Sequence, residues 1–132
     1  MPDRPSGDDV AKESEREPAA VLTVLENAFH FKQEIALYEG ENKVGRYVKG
    51  TRINAPIKTV DPSVDETHCI FSVRRVSERK VSVTLRDAPS NTGTFVHNEL
   101  VGAGERVALD DGAIITIGAT TLILRIGQNH EA

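Results

Sequence analysis

The chain has one cysteine, one methionine and no tryptophan, and its aromatic residues are four phenylalanines and two tyrosines. A lone thiol, Cys69, excludes an intramolecular disulfide framework and any cysteine-rich zinc site, and it fits a reducing, intracellular compartment. Few aromatics leave little on which to stack bases. The net charge of −4, from 20 acidic and 16 basic residues, gives no global attraction to nucleic acid or to an anionic membrane. No apolar run approaches the roughly 18 residues that cross a bilayer, and the N-terminus lacks the basic start and hydrophobic segment of a secretory signal. The histidines, His30, His68, His97 and His130, lie more than 25 residues apart and lack the close pairing of zinc ligands. These absences lead us to expect no metal, no cofactor, no direct nucleic-acid contact and no membrane partner.

What is present is enough for one domain: 132 residues, 39% of them hydrophobic. Residues 1–20 hold Pro, Ser, Gly and charge, with six acids against three bases, and are expected to be a disordered acidic tail. Residues 21–127 are expected to form the folded domain, and 128–132 a flexible end where a linker to further domains can begin.

The domain reads as all-β. Lys80–Arg86, "KVSVTLR", alternates strictly, with Val81, Val83 and Leu85 on one face and Ser82, Thr84 and Arg86 on the other. "EIALYE", "HCIFSVRRV", "TFVHN", "ERVAL", "AIITIG" and "TLILRI" are similar runs, separated by turn residues at intervals of about 8 to 12, the spacing of a sandwich or barrel. The only helix candidate, Val21–Lys32, is too rich in β-branched and aromatic residues to compete. "LDDGAI" and "HNE" read as tight hairpins, with Gly112 and Asn98 in left-handed positions.

Charge is unevenly placed. Lys43, Arg46, Lys49, Arg52 and Lys58 fall in a stretch without a single acid, a local +5 in a molecule of net −4. That is either a solvated loop or an anion site. One phosphate fits the patch better than an extended polymer does. A guanidinium, with hydroxyl and amide donors from a neighbouring loop, would hold it best. Arg46 and the run Ser90, Asn91, Thr92, Gly93, Thr94 are those ingredients.

Four blocks in order carry a resemblance: "VGR" at Val44–Arg46, "DPSVDETH" at Asp61–His68, "DAPSNTGTFVHNELV" at Asp87–Val101 and "LDDGAIITIG" at Leu109–Gly118. Together they resemble the forkhead-associated (FHA) domain over roughly Glu34–Ile126. The resemblance implies a β-sandwich of about eleven strands whose loops at one end bind phosphothreonine peptides. In such a site Arg46 grips the phosphate, Gly45 lets the chain turn, and Asp65, Thr67, Ser90, Asn91, Thr92 and Gly93 form the peptide-binding loops. His68 is then architectural, and Lys49, Arg52 and Lys58 are auxiliary phosphate contacts. The implied role is a protein-interaction adaptor in kinase signalling, with a DNA-damage or chromatin response, and the nucleus, as the setting in a eukaryote and the cytoplasm otherwise.

Two departures stand out. The family's usual Ser followed by Arg or Lys ahead of the histidine is here Asp65 and Glu66, and its Thr-Asn order is here Asn91-Thr92. Acids at the phosphate oppose a group carrying close to −2. Either Asp65 turns away, for instance to Arg52 or Lys49, or the site is degenerate and the domain works as a phospho-independent interaction or dimerisation module. Catalysis is not expected. Ser90, His68 and Asp87 supply the residue types, but Cys69 next to His68 points to the opposite face and joins Phe71 and Val73 as a small buried thiol.

Overall fold

In the computed structural model, which describes residues 17–26 and 31–126, eleven strands make up two sheets and no described residue is helical. β1 (Ala20–Glu26), β2 (Phe31–Leu37), β7 (Thr94–Val96), β8 (Glu99–Leu100), β10 (Ile114–Ile117) and β11 (Thr120–Ile126) form one sheet, in the order β2-β1-β11-β10-β7-β8. β3 (Gly40–Arg46), β4 (Ala55–Ile57), β5 (Cys69–Arg75), β6 (Val81–Asp87) and β9 (Val107–Leu109) form the other, in the order β9-β6-β5-β3-β4.

The alternation seen in the sequence decides which face each strand buries. Val83 and Leu85 of β6 point inward, and Ser82 points out. Leu22, Val24, Ile115, Ile117, Leu122 and Leu124 from one sheet meet Val44, Ile57, Phe71, Val83 and Leu85 from the other in a single core. Cys69 is in that core, and burial, with a smaller push from the Asp87 carboxylate, drives its thiol far above the ordinary range. Pairing is antiparallel except for β3 with β4, and β4 is an edge strand, where Pro56 takes no donor from the ladder.

Buried Asn42 shapes the approach to β3. Its Oδ1 accepts from Tyr38 N at 3.0 Å, while its Nδ2 donates to Tyr38 O at 2.8 Å and to Phe71 O at 3.2 Å. An amide buried in this way is stabilising only because its donors and acceptor are all used.

Two sequence expectations change. The folded part reaches into the segment expected to be tail: Ala19 and Ala20 are buried and Ala20 opens β1, because their methyl groups pack into the core. The rest of that tail, residues 1–16, and the C-terminal end from 127 lie outside the described residues. "LDDGAI" is a turn but not a hairpin. Leu109 pairs with Val83 in one sheet and Ile114 pairs with Ile123 in the other, so Asp110–Gly112 carries the chain between sheets, with Gly112 at φ 86°. "HNE", by contrast, is a two-residue hairpin in which Val96 pairs with Glu99 and both His97 (φ 49°) and Asn98 (φ 71°) are left-handed.

Asn tolerates that backbone and a β-branched residue does not. Thermal denaturation of Asn98→Val should show a loss of about 1–2 kcal/mol, whereas Asn98→Gly should be neutral or slightly stabilising.

Candidate functional site

The loop from Tyr47 to His68 returns to lie against the strand it left. Gly45 has no room for a side chain: a Cβ there would stand 2.2 Å from Glu66 O and 2.7 Å from Asp65 O. Arg46 N donates to Asp65 O and His68 N to Val44 O, each at 2.8 Å, sewing the loop to β3. Gly45 therefore serves close approach within a strand and not a turn, which corrects the role expected of it. The Arg46 side chain is steered by the same loop. Its Nε donates to Val64 O at 2.9 Å, and among the described residues its Nη groups make no hydrogen bond or ion pair.

His68 joins this loop to the next. Its buried ring accepts Asp65 N–H at Nδ1, 3.0 Å, and meets Gly93 O at Nε2, 2.8 Å, so the proton sits on Nε2. Asp65 faces the second loop. Its Oδ2 accepts Asn91 N–H at 2.8 Å and its Oδ1 accepts Asn91 Nδ2 at 3.2 Å. Thr92 Oγ1 donates to Ser63 O at 2.8 Å. Asp65 thus pairs with Asn91 and makes no ion pair with Arg52 or Lys49 among the described residues.

Two carboxylates hold the loops from below. Asp87 accepts Ser90 N at 3.0 Å, Ser90 Oγ at 2.6 Å and Thr94 Oγ1 at 2.7 Å, and Gly93 N donates back to Ser90 Oγ at 2.9 Å. Buried Asp61 accepts from Ser63 N (2.9 Å) and from Ser63 Oγ. It also takes Ala119 N and Thr120 Oγ1, each at 2.9 Å, which ties the loop to the β10–β11 turn of the opposite sheet. In both acids burial is the largest influence and raises the pKa. The hydrogen bonds to Ser63, Thr120 and Ala119 for Asp61, and to Ser90 and Thr94 for Asp87, together outweigh it and hold both below the ordinary 3.8.

The structure therefore brings together Arg46, Asp65, Asn91, Thr92 and Gly93, with His68 as their scaffold. Ser90 lies in the same loop, but its hydroxyl is taken up by Asp87 and Gly93. Thr67 is turned away. It lines a separate cleft of about 510 Å³ with Lys43, Thr51, Arg52, Ile53, Glu66 and Ile70. No hydrogen bond or ion pair among the described residues joins Lys49, Arg52 or Lys58 to Arg46 or to the Ser90–Gly93 loop, and Lys58 is fastened by its backbone to Gln33. Ser90, His68 and Asp87 form no catalytic relay, since His68 bonds Asp65 and Gly93 and not the serine. Sequence reasoning assigned no structural part to Asp61 and Asp87. "DPS" and "DAPS" do carry the signal, because an Asp two or three residues before a Ser is a recurrent way to fold a loop back on itself.

A family model of the FHA domain matches residues 42–118, more than half of the chain, and the chain belongs to that family. No curated protein matches it. Among solved structures, a chain from a structural and functional analysis of phosphothreonine-dependent FHA domain interactions is similar at 26% identity and TM-score 0.57, over 81% of this chain and 96% of that one. The MEK1 FHA domain is 22% identical with TM-score 0.66, over 92% and 99% respectively. The yeast Pml1 splicing factor is 19% identical with TM-score 0.63, over 90% and 87%. The last two show the fold alone.

Gly45→Ala should force the loop off β3, lowering stability by about 1–3 kcal/mol and weakening ligand binding beyond what the stability loss explains; denaturant melts and titrations on one sample separate the two. The acid limb of stability tests the carboxylates. Depressed carboxylate pKa values contribute stability that is complete above the unfolded value and lost as pH falls through the folded one. Melting temperature should therefore hold from pH 7 to about 5 and fall below about 4. Asp61→Asn should lower the plateau and flatten that fall.

Proposed function

We propose that this chain is a phosphothreonine-dependent adaptor in which Arg46 receives the phosphate. FHA domains are phosphothreonine-binding interaction modules. The observation that carries the reading here is the guanidinium of Arg46, anchored by Nε to Val64 O beside the Ser63–Asp65 and Asn91–Gly93 segments, with its two Nη groups unengaged among the described residues. A planar fork held by one nitrogen is pre-aimed for paired bonds to phosphate oxygens. Asn91 and Thr92 flank it at the loop that reaches the peptide backbone. The setting proposed is kinase-driven signalling, nuclear in a eukaryotic cell and cytoplasmic elsewhere.

One observation favours a second reading. The Asn91 amides that would face a phosphate are already given to the Asp65 carboxylate. That carboxylate acts as an internal anion, and a ligand phosphate has to work against it. A phospho-independent interaction or dimerisation module would leave the Asp65–Asn91 pair undisturbed.

Fluorescence anisotropy with a degenerate phosphothreonine library and its unphosphorylated twin separates the readings. Arg46→Ala should weaken phosphopeptide binding by about 2–3 kcal/mol, roughly 30- to 150-fold. Asp65→Ser should tighten it by about tenfold, since it removes a like charge worth on the order of 1 kcal/mol or more. Wild-type binding that ignores phosphate and survives Arg46→Ala would establish the second reading.

A further inference from the structure

The cleft lined by Thr67 is distinct from the Arg46 position. Residues alternate along β3, so Arg46 shares the inward side of Val44, whereas Lys43 shares the side of Gly45, onto which the Asp65–Glu66 backbone is laid. Segment 64–67 therefore runs as a crest, with Arg46 on one side and the cleft on the other. Lys43 forms one wall, and Lys43 N is held by Asn54 Oδ1 at 2.7 Å while Asn54 Nδ2 donates to Glu41 O at 2.9 Å. Those two hydrogen bonds pin the basic loop to the strand, and Arg52 lines the same cleft as Lys43. Thr51 and Thr67 add hydroxyls, and Ile53, Ile70 and Ala88 form an apolar floor.

Charge in this cleft is not balanced internally. The neighbouring Arg86 is paired with Glu41 at 3.0 Å, but neither Lys43 nor Arg52 has an ion-pair partner among the described residues, and Glu66 is the one acid in the lining. Two exposed cations, two hydroxyls and apolar walls suit a small anionic side chain better than a neutral one. From Arg46 to Lys43 is three strand residues, about 10 Å, and an extended peptide advances roughly 3.3 Å per residue.

We infer that the cleft between Lys43, Arg52 and Thr67 is a second anion subsite, which takes a carboxylate or phosphate borne by the same peptide about three to five residues from its phosphothreonine. The inference rests on the adaptor reading for the first anion. It makes the partner class a peptide with two spaced anionic groups, and it gives Lys43 and Arg52, two of the five cations of the basic stretch, a use apart from the phosphate at Arg46.

The test is an anisotropy scan of phosphothreonine peptides carrying Ala, Glu or phosphoserine at each position from five before to five after the phosphothreonine. For the wild type, one position three to five residues away should favour Glu over Ala by at least threefold, and phosphoserine by more if the subsite is built for phosphate. In Lys43→Ala/Arg52→Ala, checked for an unchanged melting temperature, that ratio should fall to within twofold of unity. Glu66→Gln should widen it. A flat wild-type scan, or a preference that survives the double substitution, overturns the inference. Failure of the adaptor reading looks different: peptides with threonine and phosphothreonine would bind alike. The same scan on the unphosphorylated series would then decide the cleft, with an anion preference removed by the double substitution supporting it and none overturning it.

Discussion

The contact on which this end of the sandwich depends is the seat of the Asp65–Glu66 backbone on Gly45. With carbonyl oxygens where a Cβ would be, the loop can approach β3 closely enough for Arg46 N to reach Asp65 O and for His68 N to reach Val44 O. Everything that follows uses that proximity. Val64 O becomes the acceptor that aims the Arg46 guanidinium, and His68 is carried into the interior, where its ring can bridge Asp65 N to Gly93 O. A neutral imidazole with one accepting and one donating nitrogen suits that bridge, because it satisfies a backbone donor on one loop and a backbone acceptor on the other without burying a charge.

The two loops then rest on carboxylates. Asp87 folds the Ser90–Thr94 loop through its hydroxyls and amides, and Asp61 ties the preceding loop to the opposite sheet through Ala119 and Thr120. Each acid gathers several donors. That is how partly buried charges are kept without an ionic partner, and hydrogen-bonded frames of this kind hold a recognition surface in place before a ligand arrives. Asp65 belongs to the same scheme. It replaces a hydroxyl of the family pattern with a charge, yet the charge is spent on Asn91, itself displaced by one position from the family order. The two departures meet in the structure, where the carboxylate at 65 accepts from the backbone and side-chain amides of 91.

Much of the fold was legible in the sequence, because half-buried strands write their faces in a period of two. The strands Val81–Asp87, Ile114–Ile117 and Thr120–Ile126 follow that period, and four ordered blocks identified the family. The DDG turn was misread because turn chemistry is local, whereas whether the flanking strands are neighbours is decided by the whole sheet. Arg46, Asn91 and Gly93 were placed by motif. The direction of Thr67, the inward turn of the Ser90 hydroxyl and the pairing of Asp65 were not legible, because each depends on a backbone that a distant residue, Gly45 or Asp87, holds in place. The basic stretch from Lys43 to Lys58 was visible as charge, but its division between the two sides of the 64–67 crest appears only when β3 assigns Lys43 and Arg46 to opposite faces.

Arg46, aimed by Val64 and framed by the Asp65–Asn91 pair, is where we propose that a phosphate enters. The most direct measurement is nitrogen-15 NMR, following the Arg46 side-chain and Asn91 backbone signals during titration with a phosphothreonine peptide and then with its unphosphorylated twin. Saturable shifts of Arg46 Nε–H and Asn91 N–H are expected with the phosphorylated peptide only. Signals that stay unmoved with the phosphorylated peptide, or that shift equally with either peptide, would rule it out.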